Sequence, residues 1–270
     1  MDKKHAFLQI ALIFIFCVHY YHQLNKEETL ISVHNNKLFL EEDFLIAVTS
    51  YNIQYGKGQD NRVDINRTIE TLQSLDSDII SLQEVERNSL RSNFIDQVNV
   101  IAKELNMNAY FSPSLAYPGL YYGNAILTTF PIINEQTLTF SNRIETRTAI
   151  FVELQISDTH TIHIINTHLG LNREERSRAI EEINNKIKTI DGPIVLTGDL
   201  NSVPSQQEYH IWNDRLIKSN KGIPFQTYYS EDWQIDYIFH SSDFAVDEVS
   251  VVKSDASDHF PVTARMLLYQ

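Results

Sequence analysis

The feature that most constrains this chain is a repeated one: short apolar, β-branched runs, each ending in a polar or ionisable side chain. Ala47–Tyr51 ends at Asn52, Ile79–Leu82 at Gln83-Glu84, Ile162–Thr167 at His168, and Ile194–Thr197 at Gly198-Asp199. Asp236 opens the run Tyr237-Ile238-Phe239, and Asp258-His259 precede Phe260-Pro261-Val262. Runs of this kind read as buried strands. A carboxylate, amide or imidazole at such a strand end sits on a rigid element with its head facing a cleft, which is what holding a metal, a water and a phosphate requires.

The intervening segments supply helices. Ile65, Ile69 and Leu72 recur at helical spacing behind Asp64, a side chain suited to capping. Phe94, Ile95, Val98, Ile101, Ala102 and Leu105 predict a second amphipathic helix, capped near Ser92. A third starts at Asn172, with Glu175 placed for a capping box, and turns Ala179, Ile180, Ile183 and Ile187 to the core. Further strands are expected over 45–53, 78–82, 124–129, 147–156, 161–167, 193–197, 234–239, 246–252 and 261–268, with a tyrosine- and proline-rich loop over Phe111–Gly123. Strands and helices mix without strict alternation, so the expected architecture is α/β, layered sheets with helices on the outer faces.

At 270 residues and 43% hydrophobic content, the chain has material for one large domain, expected over 45–270. A polar connector over 25–44, with a short strand around Lys37–Leu40, precedes it. Before that, Lys3 and Lys4 lead into an apolar run from Ala6 to about Tyr21, broken only by Gln9 and His19. No small-residue cleavage site follows, and Phe14-Ile15-Phe16 before Cys17 is too bulky for a lipoprotein signal. Residues 1–24 are therefore expected to target the membrane, as an uncleaved anchor with the lysines inside and the domain outside, or as a signal whose cleavage releases the domain. Cys17 is the lone cysteine, so the folded part carries no disulfide. The net charge of −13 opposes long-range attraction to a polyanion, which weakens a nucleic-acid reading without excluding it.

Cleaving a phosphate ester takes a nucleophilic water, a base, and positive charge or donors at the phosphoryl oxygens. Glu84 suits a hard-metal carboxylate ligand and Asn52 a neutral one. His259 can take a proton from water, oriented by Asp236. Asn201 and His168 can donate to phosphoryl oxygens, and Asp199 can hold the water or the leaving group. Taken singly, each has an ordinary alternative: Asn52 and Glu84 as solvated strand ends, Asp199 and Asn201 as an Asx turn, His168 as a structural histidine.

In order along the chain, Tyr51-Asn52-Ile53, Leu82-Gln83-Glu84-Val85, Asn166-Thr167-His168-Leu169, Gly198-Asp199-Leu200-Asn201, Ile235-Asp236-Tyr237-Ile238 and Ser257-Asp258-His259-Phe260-Pro261 resemble the endonuclease/exonuclease/phosphatase superfamily, in its compact bacterial form. The resemblance runs from about Ile46 to Leu268. It implies a four-layer α/β sandwich, two packed, mainly antiparallel sheets flanked by helices, with the active site at one end. It further implies Mg²⁺ or Mn²⁺ on Glu84, assisted by Asn52 and Asp258. His259 matches the general base, Asp236 its orienting partner, Asp199 and Asn201 the pair around water and phosphate, and His168 the second histidine. Arg147 and Asn124 match substrate-contacting positions.

Two departures bear on substrate. Secreted deoxyribonucleases of this superfamily carry a glutamate after the arginine, paired with the first histidine, where this chain has Thr148. Many members have a proline and an arginine before Ile-Asp-Tyr, where this chain has Tyr228 to Gln234. The expected activity is a phosphodiesterase acting on a lipid headgroup or small phosphodiester, with an endonuclease as the alternative. A scaffold with a dead site is the third reading, and it should show losses that Glu84, His168, Asp199, Asn201, Asp236 and His259 do not. The residues indicate a phosphodiester substrate and no obligate protein partner. Leu120, Tyr121 and Tyr122 in the tyrosine-rich loop can contact substrate or pack over the core.

Overall fold

A computed structural model of the chain describes residues 29–31, 44–117, 120–142 and 145–269. The expected N-terminal anchor and the strand at Lys37–Leu40 lie outside the described residues. Among those described, no helix is long and apolar enough to cross a membrane.

Two sheets carry the fold. The first has seven strands in the order β1 (Thr29–Ile31), β4 (Asn108–Tyr117), β5 (Leu120–Thr128), β3 (Ile79–Arg87), β2 (Phe44–Asn52), β13 (Val262–Leu268), β12 (Phe244–Val251). The second has six, ordered β10 (Ile217–Lys218), β11 (Asp236–His240), β9 (Ile194–Asp199), β8 (Thr161–His168), β7 (Arg147–Gln155), β6 (Ile132–Phe140). Each sheet contains a single parallel pair, β2 with β3 and β8 with β9, and all other pairings are antiparallel. A parallel pair needs a crossover, and here each crossover carries a helix: α1 (Ile65–Leu75) in the first sheet, α3 (Arg173–Ile187) in the second.

Three apolar clusters make the four layers. Leu72 of α1 and Ile101 of α2 (Gln97–Leu105) pack on Ile80, Leu82 and Phe111 outside the first sheet. Ile180 and Ile183 of α3 pack on Ile165 and Leu196 outside the second. Between the sheets lie Ile46, Val48, Ile126, Ile150, Ile164, Val195 and Ala264. This is the expected four-layer α/β sandwich.

Two local expectations need correction. Phe111–Tyr117 and Leu120–Gly123 are paired strand, in β4 and β5, rather than a loop; Pro113 is tolerated because the register shifts between Pro113 and Leu115. Of the two roles open to Tyr121, it takes packing, in the cluster under α1 and α2. The α2 cap is Asp96, whose side chain accepts from the Asn99 N–H, and Phe94 lies outside the helix at 65% exposure. Strand β6 went unexpected because it is an edge strand with a mostly exposed face.

Candidate active site

The alternation of strand side chains builds the site. On β2, Ile46, Val48, Ser50 and Asn52 share the face turned to the second sheet; on β9, Val195, Thr197 and Asp199 face back; on β8, Ile162, Ile164, Asn166 and His168 do. Moving along these strands toward their carboxyl ends, the layer between the sheets changes from apolar to polar. Thr197 Oγ1 donates to Ser81 Oγ at 2.7 Å, and Gln83 Nε2 donates to Asn166 Oδ1 at 2.7 Å. Asn166 Nδ2 donates in turn to the carbonyls of Leu82 and Ala125. Beyond this belt come Asn52, Asp199 and His168. The parallel pairs thus place all four of their carboxyl ends at one edge of the molecule, where α/β folds hold their ligands.

Two backbone devices complete the placement. The register of β3 against β5 shifts between Leu82 and Val85, and Glu84 in that bulge has φ +59°. A non-glycine residue in the left-handed region costs about 1–3 kcal/mol and persists where the surroundings enforce it. The bulge frees Glu84 from the strand alternation, and its Oε1 accepts from Asn52 Nδ2 at 3.1 Å. Gly198 has φ +151°, and a Cβ there would lie 2.0 Å from the Thr167 carbonyl oxygen. No other residue lets β9 approach β8 this closely next to Asp199.

Asn52 is fully buried and joins the sheets: its Nδ2 also donates to Asp199 Oδ2 at 3.0 Å, and its Oδ1 accepts the Gln54 N–H at 3.0 Å. The backbone N–H requires an acceptor and the two carboxylates require donors, so the amide's orientation is set by its partners. Asn52 therefore offers nitrogen to Glu84, while its oxygen accepts the Gln54 N–H.

His259 Nδ1 bonds Asp236 Oδ2 at 2.9 Å, and its Nε2 stands 3.7 Å from Asp199 Oδ2 and 4.0 Å from Asp258 Oδ1. Asp236 is fully buried, its N–H donates to Thr227 Oγ1, and its Oδ1 is buried with no partner among the described residues. Burial alone would lower the His259 pKa, but Asp236 and Asp199 outweigh it and push it up to about 10. Burial drives Asp199 up to about 7 against the pull of His259. Glu84 is also raised, by burial and by the repulsion of Asp258, against the Asn52 hydrogen bond. Asp258 Oδ2 accepts from Gln54 Nε2 at 2.8 Å.

His168 has a different environment. Its Nδ1 takes a hydrogen bond from Arg147 at 2.8 Å, while Nε2 lies 3.1 Å from Asn201 Nδ2 and 3.4 Å from Asp199 Oδ2. Burial, with the Arg147 charge, holds its pKa well below the usual histidine value. It is neutral, with its proton on Nε2. Thr148, standing where the secreted nucleases have their glutamate, instead accepts from Asn124 Nδ2 through its carbonyl and its Oγ1, both at 3.1 Å. Asn124 is buried and ties β5 to β7. Arg147 also pairs with Glu145 at 3.1 Å.

Asn52, Glu84, Arg147, His168, Asp199, Asn201, Asp236, Asp258 and His259 thus converge through direct contacts. Three residues of the site, Gln54, Thr227 and Tyr228, went unread as site residues in the sequence, and Tyr122 was read only as able to contact substrate or pack over the core. Gln54 holds Asp258; Thr227 holds the Asp236 backbone; Tyr122 hydrogen-bonds Glu84; and Tyr228 packs edge-on against His259, centroids 5.2 Å apart, and stacks on Trp233. Only the position of Gln54, two residues after Asn52, offered a signal.

The donor set fits a hard divalent cation. Glu84, Asp199, Asp236 and Asp258 bring carboxylate oxygens to one cleft, the ligand type such an ion takes, and burial, the largest cause, raises the pKa of Glu84 and Asp199. Asp199, Asp236 and His259 have ligand-type atoms within 4.8 Å of one another. The Asp236–His259 bond commits two of those groups to each other.

The sequence pattern of the Endonuclease/Exonuclease/phosphatase family matches residues 49–259. Among solved structures, an endonuclease/exonuclease/phosphatase from Beutenbergia cavernae superposes with TM-score 0.71 at 21% identity, covering 83% of this chain and 72% of that one. A mannosyl-6-phosphatase from Bacteroides thetaiotaomicron gives TM-score 0.66 at 19% identity over 82% and 99%. The human Nocturnin catalytic domain with bound sulfate gives 0.65 at 18% identity over 90% and 98%. No curated protein sequence matches significantly. These likenesses carry the fold, and the family match covers the strand-end residues from Asn52 to His259: the chain belongs to the endonuclease/exonuclease/phosphatase family.

Proposed function

We propose that this protein is a Mg²⁺- or Mn²⁺-dependent hydrolase of phosphate esters, a phosphodiesterase of lipid headgroups or small phosphodiesters, in which His259 activates a water for attack on phosphorus. The observation that carries this is the linked chain Asp236–His259–Asp199–Asn52–Glu84, which connects a base cluster to a carboxylate cation site across the two sheets.

The neighbouring carboxylates hold His259 protonated near neutrality; with Nδ1–H taken up by Asp236, it is the fraction deprotonated at Nε2 that receives the water's proton. Asp236 stabilises the resulting imidazolium. Asp199, near both histidine Nε2 atoms, orients the water. Neutral His168, through Nε2–H, and the Asn201 amide donate to phosphoryl oxygens, and Arg147 supplies positive charge behind His168. Because burial, with the Arg147 charge, keeps His168 neutral, it donates a hydrogen bond and has no second proton to deliver. Glu84 and Asp258 would hold the divalent cation, with Asn52 positioning Glu84. The ion supplies Lewis-acid stabilisation of charge on the phosphoryl group. The water oxygen joins phosphorus, the bond to the ester oxygen breaks, and the products are an alcohol and a phosphate ester.

The net charge of −13 and the replacement of the nuclease glutamate by Thr148 support a small or lipid diester over duplex nucleic acid. The apolar N-terminal run supports a membrane-tethered domain on the extracytoplasmic side. The test is a substrate panel for the full chain with Mg²⁺ and with EDTA: an aryl phosphodiester, an aryl phosphomonoester and supercoiled plasmid. Metal-dependent cleavage of the diester is expected. Preference for the monoester moves the activity to a phosphatase, and plasmid nicking at comparable efficiency moves it to a nuclease.

A further inference from the structure

Two cavities border the proposed centre. One, of about 350 Å³, lies beside Arg147 and is lined by Leu171 together with Asn142, Glu145, Asn172 and Glu175. The other, of about 570 Å³, is lined by Glu86, Leu90, Arg91, Leu115, Leu120 and Tyr122. Tyr122 belongs to both surroundings, because its hydroxyl bonds Glu84 while its ring borders the second cavity. Leu90 stands 72% exposed at its rim. Arg91 pairs with buried Glu86, and its guanidinium lies 3.8 Å above the Tyr55 ring and 5.8 Å from that of Tyr122. The Arg91–Glu86 pair thus holds the wall of the groove next to Tyr122.

We propose that this groove between the β3 loop and the β4–β5 hairpin is the subsite for the apolar substituent of a phosphodiester. The inference rests on the phosphodiesterase reading above and narrows it. The groove presents Leu90, Leu115 and Leu120 beside the Tyr122 ring whose hydroxyl bonds Glu84. An alkyl or acyl-glyceryl phosphodiester suits it, since its chain gains by leaving water.

The experiment compares methyl p-nitrophenyl phosphate with octyl p-nitrophenyl phosphate, below micelle formation, on the full chain with Mg²⁺. Water adds to phosphorus, nitrophenolate departs, and the alkyl phosphate remains. Each buried methylene is worth about 0.8 kcal/mol at full burial, so an open groove still predicts a rise in kcat/KM of about tenfold or more from methyl to octyl. The octyl-to-methyl ratio falls about tenfold in the Leu90→Ser, Leu120→Ser double variant and is unmoved by Ile133→Ser, an exposed site on β6. Equal rates for both esters, whether because the groove is unused or because another segment of the chain fills it, overturn this inference and leave the phosphodiesterase reading standing. Absence of hydrolysis of either ester overturns both.

Discussion

Asn52, at the end of β2, and Asp199, at the end of β9, belong to different sheets and are joined by a buried hydrogen bond of 3.0 Å. The same amide nitrogen holds Glu84 at 3.1 Å. One side chain thereby sets the separation between the proposed cation carboxylate and the carboxylate nearest both histidines.

Asn52→Ala removes that tether. Groups that orient metal ligands contribute about 10–100-fold to affinity or activity. We expect a loss of that size in kcat/KM, with the Mg²⁺ concentration for half-maximal rate moved upward. A metal titration of the rate measures both, and an unchanged half-saturation point contradicts the role.

Glu84→Gln keeps an acceptor for Asn52 and removes a charge that burial disfavours. The raised carboxyl pKa means the folded state loses stability as pH rises through it, so at neutral pH the neutral isostere is more stable without metal. The metal-free Tm should rise. Mg²⁺ should raise the Tm of the wild type and not of the variant. A variant that melts lower without metal and still responds to Mg²⁺ contradicts the assignment.

Much of this centre is legible in sequence because each group ends or opens a strand whose apolar run is itself recognisable. Period-two alternation then says that Asn52 shares a face with Ile46 and Val48, and His168 with Ile162 and Ile164. Which sheets face one another is a long-range property, so the Asn52–Asp199 and Gln83–Asn166 bonds are invisible until the layers stack. Asn52 is expected beside the metal from the sequence, and only the fold reveals that its amide also bonds Glu84, Asp199 and the Gln54 N–H. The partner of His168 is similar: Thr148 stands where a glutamate was sought, and Arg147 on the adjacent strand takes the contact. The β4–β5 hairpin was obscured by Pro113 and its tyrosines, whose packing role depends on the neighbouring β3.

His168 is buried and neutral in the folded state, so it takes up no proton where an unfolded histidine does. Below the ordinary histidine pKa of about 6.5 the unfolded chain gains that proton, and the folded state loses stability as pH falls. Relative to His168→Gln, the wild type should lose up to about 1.4 kcal/mol per pH unit between pH 6.5 and 5. Parallel pH profiles of denaturant unfolding check this. Parallel curves for the two proteins contradict it.

Arg176 on α3 and Glu208 form a buried pair, Nε to Oε1 2.9 Å, with the carboxylate fully covered. Glu208→Ala leaves the guanidinium buried without its counter-charge, which should destabilise the fold by about 3–5 kcal/mol. The check is chemical denaturation at neutral pH; a loss under about 1 kcal/mol, the range of exposed pairs, contradicts it.

The central claim is that His259, held by Asp236, takes the proton from the attacking water. The most direct measurement is kcat of His259→Ala on an aryl phosphodiester at saturating Mg²⁺, with the variant's fold verified by its Tm. The account predicts a fall of at least about 10²-fold, the lower range for a general base. A folded variant that turns over within about threefold of the wild type contradicts it.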